Sequence, residues 1–553
     1  MTDQPPAVSP QRRIFGYLFS QMGGTLVSRT LGFIRELVVA RYFGAGSRAD
    51  AFFAALTIPT LFRDVLGEDV VERSFMPGIR EFIARRDYES AWRLASAAVN
   101  WMLVGMALVM AFVYLAAPWL VTVVAKGFDD PSKGPELMAT TIALTRVLTP
   151  FIMFIALAAF AGGLLYYIFD RHLAFSFAPA MLSVGVISGL VFFFDTLGIY
   201  SLAVGFVAGG ALQFLVQIPS VVRGGRSYSL RYRLTLRPPE NTGGRMTRET
   251  AYVTLQSILT KTTEVFDRRV ASFLAGAGSI SSLWYAVRLV QLPLAIFTIA
   301  VSRAITPYLS EQIGKGDRAE FRSGLLSGFR YNLLFIMPAT GLMIALAEPI
   351  VRVIFERGSF GATATTMTAS ALWCYAVGLL GMSLVRFGST VCSTLERNKV
   401  PMYTAVVGGV VNIWLNYVLS ATYLKHAGLA MATSIGFTVN AILLFGWLHR
   451  HLKREGGGER TVTESGGFTF RELFAPAFRV GVNALASSAV AYLVFHHVVI
   501  PMELRSLGFI GDVIELLIPL AVGGIVYIIA SLVNPVEEVQ PLLRRIRRYT
   551  GRD

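Results

Sequence analysis

Charge is scarce in this sequence. Asp, Glu, Lys and Arg make up 15% of its 553 residues, against about 25% in an ordinary soluble domain. No stretch of domain length has soluble composition, so the several soluble domains expected from length alone are excluded. Cysteine is scarcer still. Cys374 and Cys392 are the only two, which rules out a disulfide framework and a Cys-rich metal or cluster site. No P-loop, His-Glu-x-x-His or Cys-x-x-Cys pattern occurs, and the loops on the outer side are too short for an external catalytic domain. The chain therefore reads as no enzyme, with no cofactor and no metal. Its few histidines include His496-His497 and the pair His449/His451 at span ends, which read as interfacial. Met1–Arg13 is polar and lacks an apolar core and a small-residue cleavage site, so it reads as a cytoplasmic lead-in.

What is present is apolar: 54% of residues are hydrophobic, gathered in blocks near the roughly 20 residues a helix needs to cross a bilayer. The blocks run approximately 15–43, 49–67, 92–125, 138–167, 172–195, 198–222, 248–275, 279–310, 323–355, 362–393, 401–423, 427–449, 472–499 and 507–533. The first, second, seventh and eighth are weakest because they contain charges. Fourteen spans starting from a cytoplasmic N-terminus put most loop arginines and lysines inside, among them Arg73, Arg80, Arg85, Arg86, Arg223, Arg226, Lys315, Arg318, Arg450, Lys453 and the tail Arg544–Arg552. Outside remain little more than Arg48, Lys126, Lys133, Arg357, Lys425 and Arg505, a roughly fivefold asymmetry that places both termini in the cytoplasm. The net charge of +15 is mostly this bias and faces anionic lipid head groups rather than nucleic acid.

The two halves echo one another. Val39-Ala40-Arg41-Tyr42-Phe43-Gly44-Ala45-Gly46-Ser47 resembles the stretch Val270–Ser279, with one residue inserted. Each is followed by an aromatic pair (Phe52-Phe53, Trp284-Tyr285) and a proline, Pro59 or Pro293. Membrane transporters are often built from such repeats.

Ionisable groups inside spans cost about 2.5–3.5 kcal/mol each on insertion scales, so they point to function. They cluster. The first span carries Arg29, Arg35 and Glu36, and the second opens with Asp50 and closes with Arg63 and Asp64. The seventh carries Lys261, Glu264, Asp267, Arg268 and Arg269, and the eighth Arg288 and Arg303; elsewhere Arg146, Arg330 and Arg386 stand nearly alone. Arg29, Gly32 and Glu36 share one helical face, whereas Arg35 lies about 120° from Arg29. Either the cavity is wide or the helix bends near Gly32. Several guanidiniums suit a multiply charged oxyanion, because Arg offers planar bidentate donors and keeps its proton. The carboxylates either hold the arginines apart in the empty site or bind a coupling cation or proton. Arg63, Asp64, Arg146 and Arg303, near span ends, suit helix glue or snorkelling equally well.

These same residues carry a resemblance. Ser28-Arg29-Thr30-Leu31-Gly32-Phe33-Ile34-Arg35-Glu36, with Ala40–Gly46 and Ala49-Asp50-Ala51-Phe52-Phe53, resembles the first helices of the MurJ/MviN lipid II flippase family. That family belongs to the multidrug/oligosaccharidyl-lipid/polysaccharide exporter superfamily. Ile58-Pro59, Arg63, Phe75-Met76-Pro77, Asp267-Arg268, Gly278–Ser281, Tyr285–Leu289 and Lys425–Leu429 continue it in order. The resemblance implies an all-α polytopic membrane protein of about fourteen transmembrane helices, in two pseudo-symmetric lobes plus a C-terminal helix pair. The expected parts are a lead-in at 1–14, an N-terminal lobe at 15–222, a basic loop at 223–247 and a C-terminal lobe at 248–449. A linker at 450–471, the extra helices at 472–533 and a basic tail at 534–553 follow.

It implies, further, alternating access that carries an undecaprenyl-diphosphate-linked disaccharide-pentapeptide, lipid II, to the outer leaflet of the bacterial inner membrane for peptidoglycan synthesis. The implied substrate-binding residues are Arg29, Arg35 and Arg288, with Asp50 and Arg63; Glu36, Glu264 and Asp267 are candidates for coupling or counter-ion roles. No cofactor is expected, only a coupling ion or the membrane potential. Cell-wall synthesis proteins are the candidate protein partners. A flippase for another lipid-linked oligosaccharide and a cation- or proton-coupled drug exporter of the same superfamily remain the alternatives. The sequence departs from the family pattern at Glu68-Asp69-Val70-Val71-Glu72-Arg73-Ser74-Phe75-Met76-Pro77, where the small and amide residues between Glu and Phe are replaced, and at Val287, usually Asn or Asp.

Overall fold

The computed structural model describes residues 10–64, 71, 75–130, 136–169, 171–228, 232–239, 254, 258, 261–274, 277–455, 468–502, 506 and 508–534. Helices dominate and no strand occurs among the described residues. The chain forms two compact units, Met1–Ala277 and Gly278–Asp553.

In the first unit α1 (Pro10–Phe43) runs unbroken through Gly32. A tight link at Gly44–Gly46 leads to α2 (Ser47–Phe62) and the short α3 (Met76–Ala84). Then come α4 (Tyr88–Leu115), α5 (Ala117–Ala125), α6 (Glu136–Gly163), α7 (His172–Leu197), α8 (Tyr200–Leu215), α9 (Ile218–Ser227) and α10, residues 261–273. Asp87 caps α4 by accepting the Ser90 N–H at 3.0 Å. Its hydrogen bonds from Ser90 hold that carboxyl below the usual range. Trp92, Leu94, Met102, Ile152, Phe160 and Leu165 are among the residues of one core beneath α4 and α6.

Between helices in lipid the hydrophobic effect offers no net drive, so close packing must bring them together. Small residues do this. A Cβ on Gly185 of α7 would lie 2.3 Å from the Cα of Gly209 on α8. The second unit repeats the device where α17 (Lys399–Ser420) meets α18 (His426–Glu455): a Cβ on Gly408 would lie 2.7 Å from the Gly436 carbonyl oxygen. Each unit thus has a helix pair closed glycine against glycine at a comparable place in its order.

The second unit opens with α11 (Ser279–Pro293), which passes through a widened π-turn at Leu294–Thr298 into α12 (Ile299–Lys315). Pro293 lacks the N–H a regular helix needs, and the wide turn absorbs the defect. Next, α13 (Arg318–Ala345) bends by 80° into α14 (Ala347–Phe355), and α15 (Ala362–Val377) bends by 49° into α16 (Leu379–Thr394). The C-terminal helices α19 (Phe470–Val494) and α20 (Phe509–Val533) pack on α13 and α14. Arg322 pairs with Glu472, Tyr527 donates to the Leu334 carbonyl at 2.6 Å, and buried Arg352 meets buried Glu515 at 2.5 Å.

Among the described residues nine helices are long and apolar enough to cross a membrane, eleven if each bent pair is one span. Where the structure describes them, the fourteen blocks read from sequence fall on helices, but length and composition do not carry the span count to fourteen. Three of the fourteen blocks, those on α1, α2 and α10, have no qualifying helix among the described residues. α2 has only 16 residues, α10 is described only at residues 261–273, and α1 holds the charges singled out above.

One element of the basic loop has a definite seat. Residues 232–239 are non-helical and lie along α4. Trp92 Nε1 donates to the Tyr228 carbonyl at 2.7 Å, Asn100 Nδ2 to those of Arg233 and Thr235 at 3.1 and 2.8 Å, and Trp101 Nε1 to that of Leu236 at 2.8 Å. Side chains of one helix thereby satisfy backbone that has no secondary-structure partner.

Candidate functional site

α1 presents its charged residues in three environments. Arg29 is exposed and makes no ion pair among the described residues. Glu36 is 5% exposed and accepts Arg35 Nη2 at 2.8 Å. The Arg35 guanidinium also lies 5.6 Å from the centre of the Phe206 ring on α8, which packs against Phe52 and Phe151 at 5.5 and 5.9 Å. An arginine has five N–H donors. One serves Glu36, and the others have no protein acceptor among the described residues. The ring stabilises the guanidinium by about 0.5–2 kcal/mol. Asp50 is buried in the first turn of α2, where the helix dipole favours a negative charge.

The far end of α2 is tied differently. Arg63 Nη2 meets Asp64 Oδ1 at 2.6 Å, Lys261 Nζ of α10 meets Asp64 Oδ2 at 2.6 Å, and Glu264 stands 3.5 Å from the same ammonium. Arg63, Asp64, Lys261 and Glu264 form one ionic chain from α2 to α10. Further along α10, Arg269 donates to the Val123 carbonyl at 3.0 Å, and Ser272 Oγ accepts the Gly127 N–H at 3.0 Å. Asp267 and Arg268 are half-buried on the same helix.

In the second unit Arg288 lies half-buried on α11 with its guanidinium carbon 4.3 Å from the centre of the Trp284 ring. Its Nη1 donates to Gln291 Oε1 at 3.1 Å. Trp284, Arg288 and Gln291 share one helical face, so Arg288, like Arg35, is a guanidinium held against an aromatic ring. The two stacking partners, Phe206 and Trp284, are the site residues missed in sequence. The spacing of Trp284 four residues before Arg288 was a readable signal; nothing local pointed to Phe206.

The family model described as lipid II flippase MurJ matches residues 39–503. The chain belongs to the MurJ lipid II flippase family. A lipid II flippase MurJ from Burkholderia cenocepacia is 30% identical over 441 residues, covering 78% of this chain and 83% of that protein. A probable lipid II flippase MurJ from Vibrio cholerae is 30% identical over 444 residues, covering 78% and 82%. The fold agrees with a solved lipid II flippase MurJ in an inward closed conformation, at TM-score 0.75 and 23% identity over 95% of this chain and 99% of that one. It agrees less closely with an inward-facing multidrug resistance MATE transporter, at TM-score 0.62 and 16% identity over 80% and 99%. This is a multi-pass membrane transporter fold. Of the stretch that departs from the family pattern, residues 68–70 and 72–74 lie outside the described residues; Val287 is half-buried beside Arg288.

Proposed function

We propose that this chain carries lipid II from the inner to the outer leaflet of a bacterial cytoplasmic membrane, with both termini in the cytoplasm. Membership of the MurJ family supports the substrate. The observation that carries the chemistry is on α1: Arg29 has no ion pair and Arg35 keeps most of its donors unspent, among the described residues. A cation left unpaired at membrane depth is costly; an arriving diphosphate removes that cost.

In this reading Arg29, Arg35 and Arg288 are the residues that take the diphosphate, with Asp50 and Arg63 as further substrate-binding residues. The sugar-peptide head enters a polar chamber while the polyprenyl tail stays in lipid. Exposure then alternates to the outer side. Glu36 holds Arg35 in place while the site is empty, and Glu264 and Asp267 are the candidates to bind a coupling cation. The membrane potential, worth about 2.3 kcal/mol per charge per 100 mV, favours outward movement of an anion from a negative interior. Cell-wall synthesis proteins receive the product outside.

The test is depletion of the protein followed by identification of the lipid that accumulates on the cytoplasmic face. Lipid II is expected there. Accumulation of a different lipid-linked oligosaccharide reassigns the head group, and accumulation of none, with sensitivity to cationic dyes instead, replaces the reading with a drug exporter.

A further inference from the structure

The flippase reading gives Gln291 no task, although its side chain touches Arg288. Gln291 Oε1 accepts Arg288 Nη1 at 3.1 Å. Arginine has donors only, so the amide atom that faces it is the oxygen. That leaves the Nε2 end for another partner, and its two N–H groups have no acceptor among the described residues. Gln291 is exposed, on the open side of α11; Leu283, Ala286, Leu289 and Val290 on the other side are buried. About 18 Å of helix separates it from Ser279, where this candidate span begins, which is deep within a hydrocarbon core of about 30 Å. Amide donors left unsatisfied at that depth are costly.

The residue type matters here. Glu36 meets Arg35 with a carboxylate, which spends charge on the pair. Gln291 meets Arg288 with a neutral amide, which accepts from the cation and keeps two donors for an anion. A glutamate would hold the guanidinium equally well and repel that anion. Resting on the flippase reading, we propose that Gln291 is a further substrate-binding residue: its Oε1 orients Arg288, and its Nε2 donates to an oxygen of the diphosphate that Arg288 takes.

The experiment measures binding of lipid II, and of undecaprenyl diphosphate without sugar or peptide, to the full-length protein in nanodiscs. Gln291→Leu neither accepts nor donates, and is expected to bind both lipids about tenfold more weakly than wild type, the loss of a hydrogen bond to a charged group. Gln291→Glu keeps the acceptor for Arg288 and puts a negative charge in place of the donor. It is expected to bind both lipids about a hundredfold more weakly. A residue that only orients Arg288 gives the opposite order, with Gln291→Glu binding more tightly than Gln291→Leu. That order, or wild-type affinity in both variants, overturns the proposal. A loss confined to lipid II overturns it as well, because it puts Gln291 against the sugar-peptide head and not the diphosphate. The position is exposed, so neither replacement disturbs the packed face of α11. Arg288→Ala in the same assay separates the two readings. Weaker binding by Arg288→Ala beside unchanged Gln291 variants overturns this proposal alone; wild-type binding by Arg288→Ala takes the diphosphate away from Arg288 and overturns both.

Discussion

At the scale of single residues, arginine chemistry decides the account. Arg29, Arg35 and Arg288 were visible in sequence because a guanidinium inside an apolar block is expensive and needs a reason. Their surroundings were not visible. Phe206 reaches Arg35 from a helix far along the chain, and no local spacing encodes that approach. Arg288 gives the sharper test, because its stacking partner Trp284 and its acceptor Gln291 lie on its own helix. Lysine keeps the charge but loses the planar stack and the bidentate fork. Arg288→Lys is accordingly expected to retain a few per cent of lipid II transport and Arg288→Ala none, at equal expression; equal, full activity in both removes Arg288 from the site. The pairing of Arg63 and Lys261 through Asp64 was also hidden, since Arg63 and Asp64 were read at the end of the second span and Lys261 within the seventh.

Helices and their junctions were legible in part. The described parts of the fourteen apolar blocks fall on helices, because length and hydropathy dictate that much. Bends were not legible. The 80° turn between α13 and α14 follows from tertiary packing that no hydropathy window reports. Arg352 and Glu515 hold α14 to α20 there. Removing one partner of a buried pair strands the other, at a cost of about 3–5 kcal/mol. Glu515→Ala is therefore expected to lower the thermal stability of the purified protein sharply, while an apolar replacement of both residues restores most of it; if the single change leaves the melting temperature unmoved, the pair does not clamp these helices. Gly185→Leu makes a parallel test of α7 against α8, where no side chain fits within 2.3 Å of Gly209, and its expected outcome is poor folding yield. The seat of residues 232–239 on α4 depends on Asn100, which also accepts the Tyr232 hydroxyl at 2.5 Å. Asn100→Ala is expected to make the loop several times more sensitive to protease added to the purified protein, with unchanged sensitivity showing that Asn100 does not hold it.

For the whole molecule, the sequence carried the family and the repeat more clearly than the span count. The echo between Val39–Ser47 and Val270–Ser279 has a structural counterpart in the glycine-closed pairs α7/α8 and α17/α18. The three blocks without a qualifying helix among the described residues, on α1, α2 and α10, hold most of the candidate site. In α1 the charged residues that interrupt its apolar character are the ones that mark it as functional. Transport of a diphosphate requires polar groups in membrane helices, so a flippase of this kind departs from apolar composition where it works. The most direct measurement of the central claim is outward movement of lipid II in vesicles carrying wild type, Arg29→Ala or Arg288→Ala at matched protein levels. Flipping by wild type and its loss in both variants is the expected result; wild-type flipping in both contradicts the claim that these arginines carry the diphosphate.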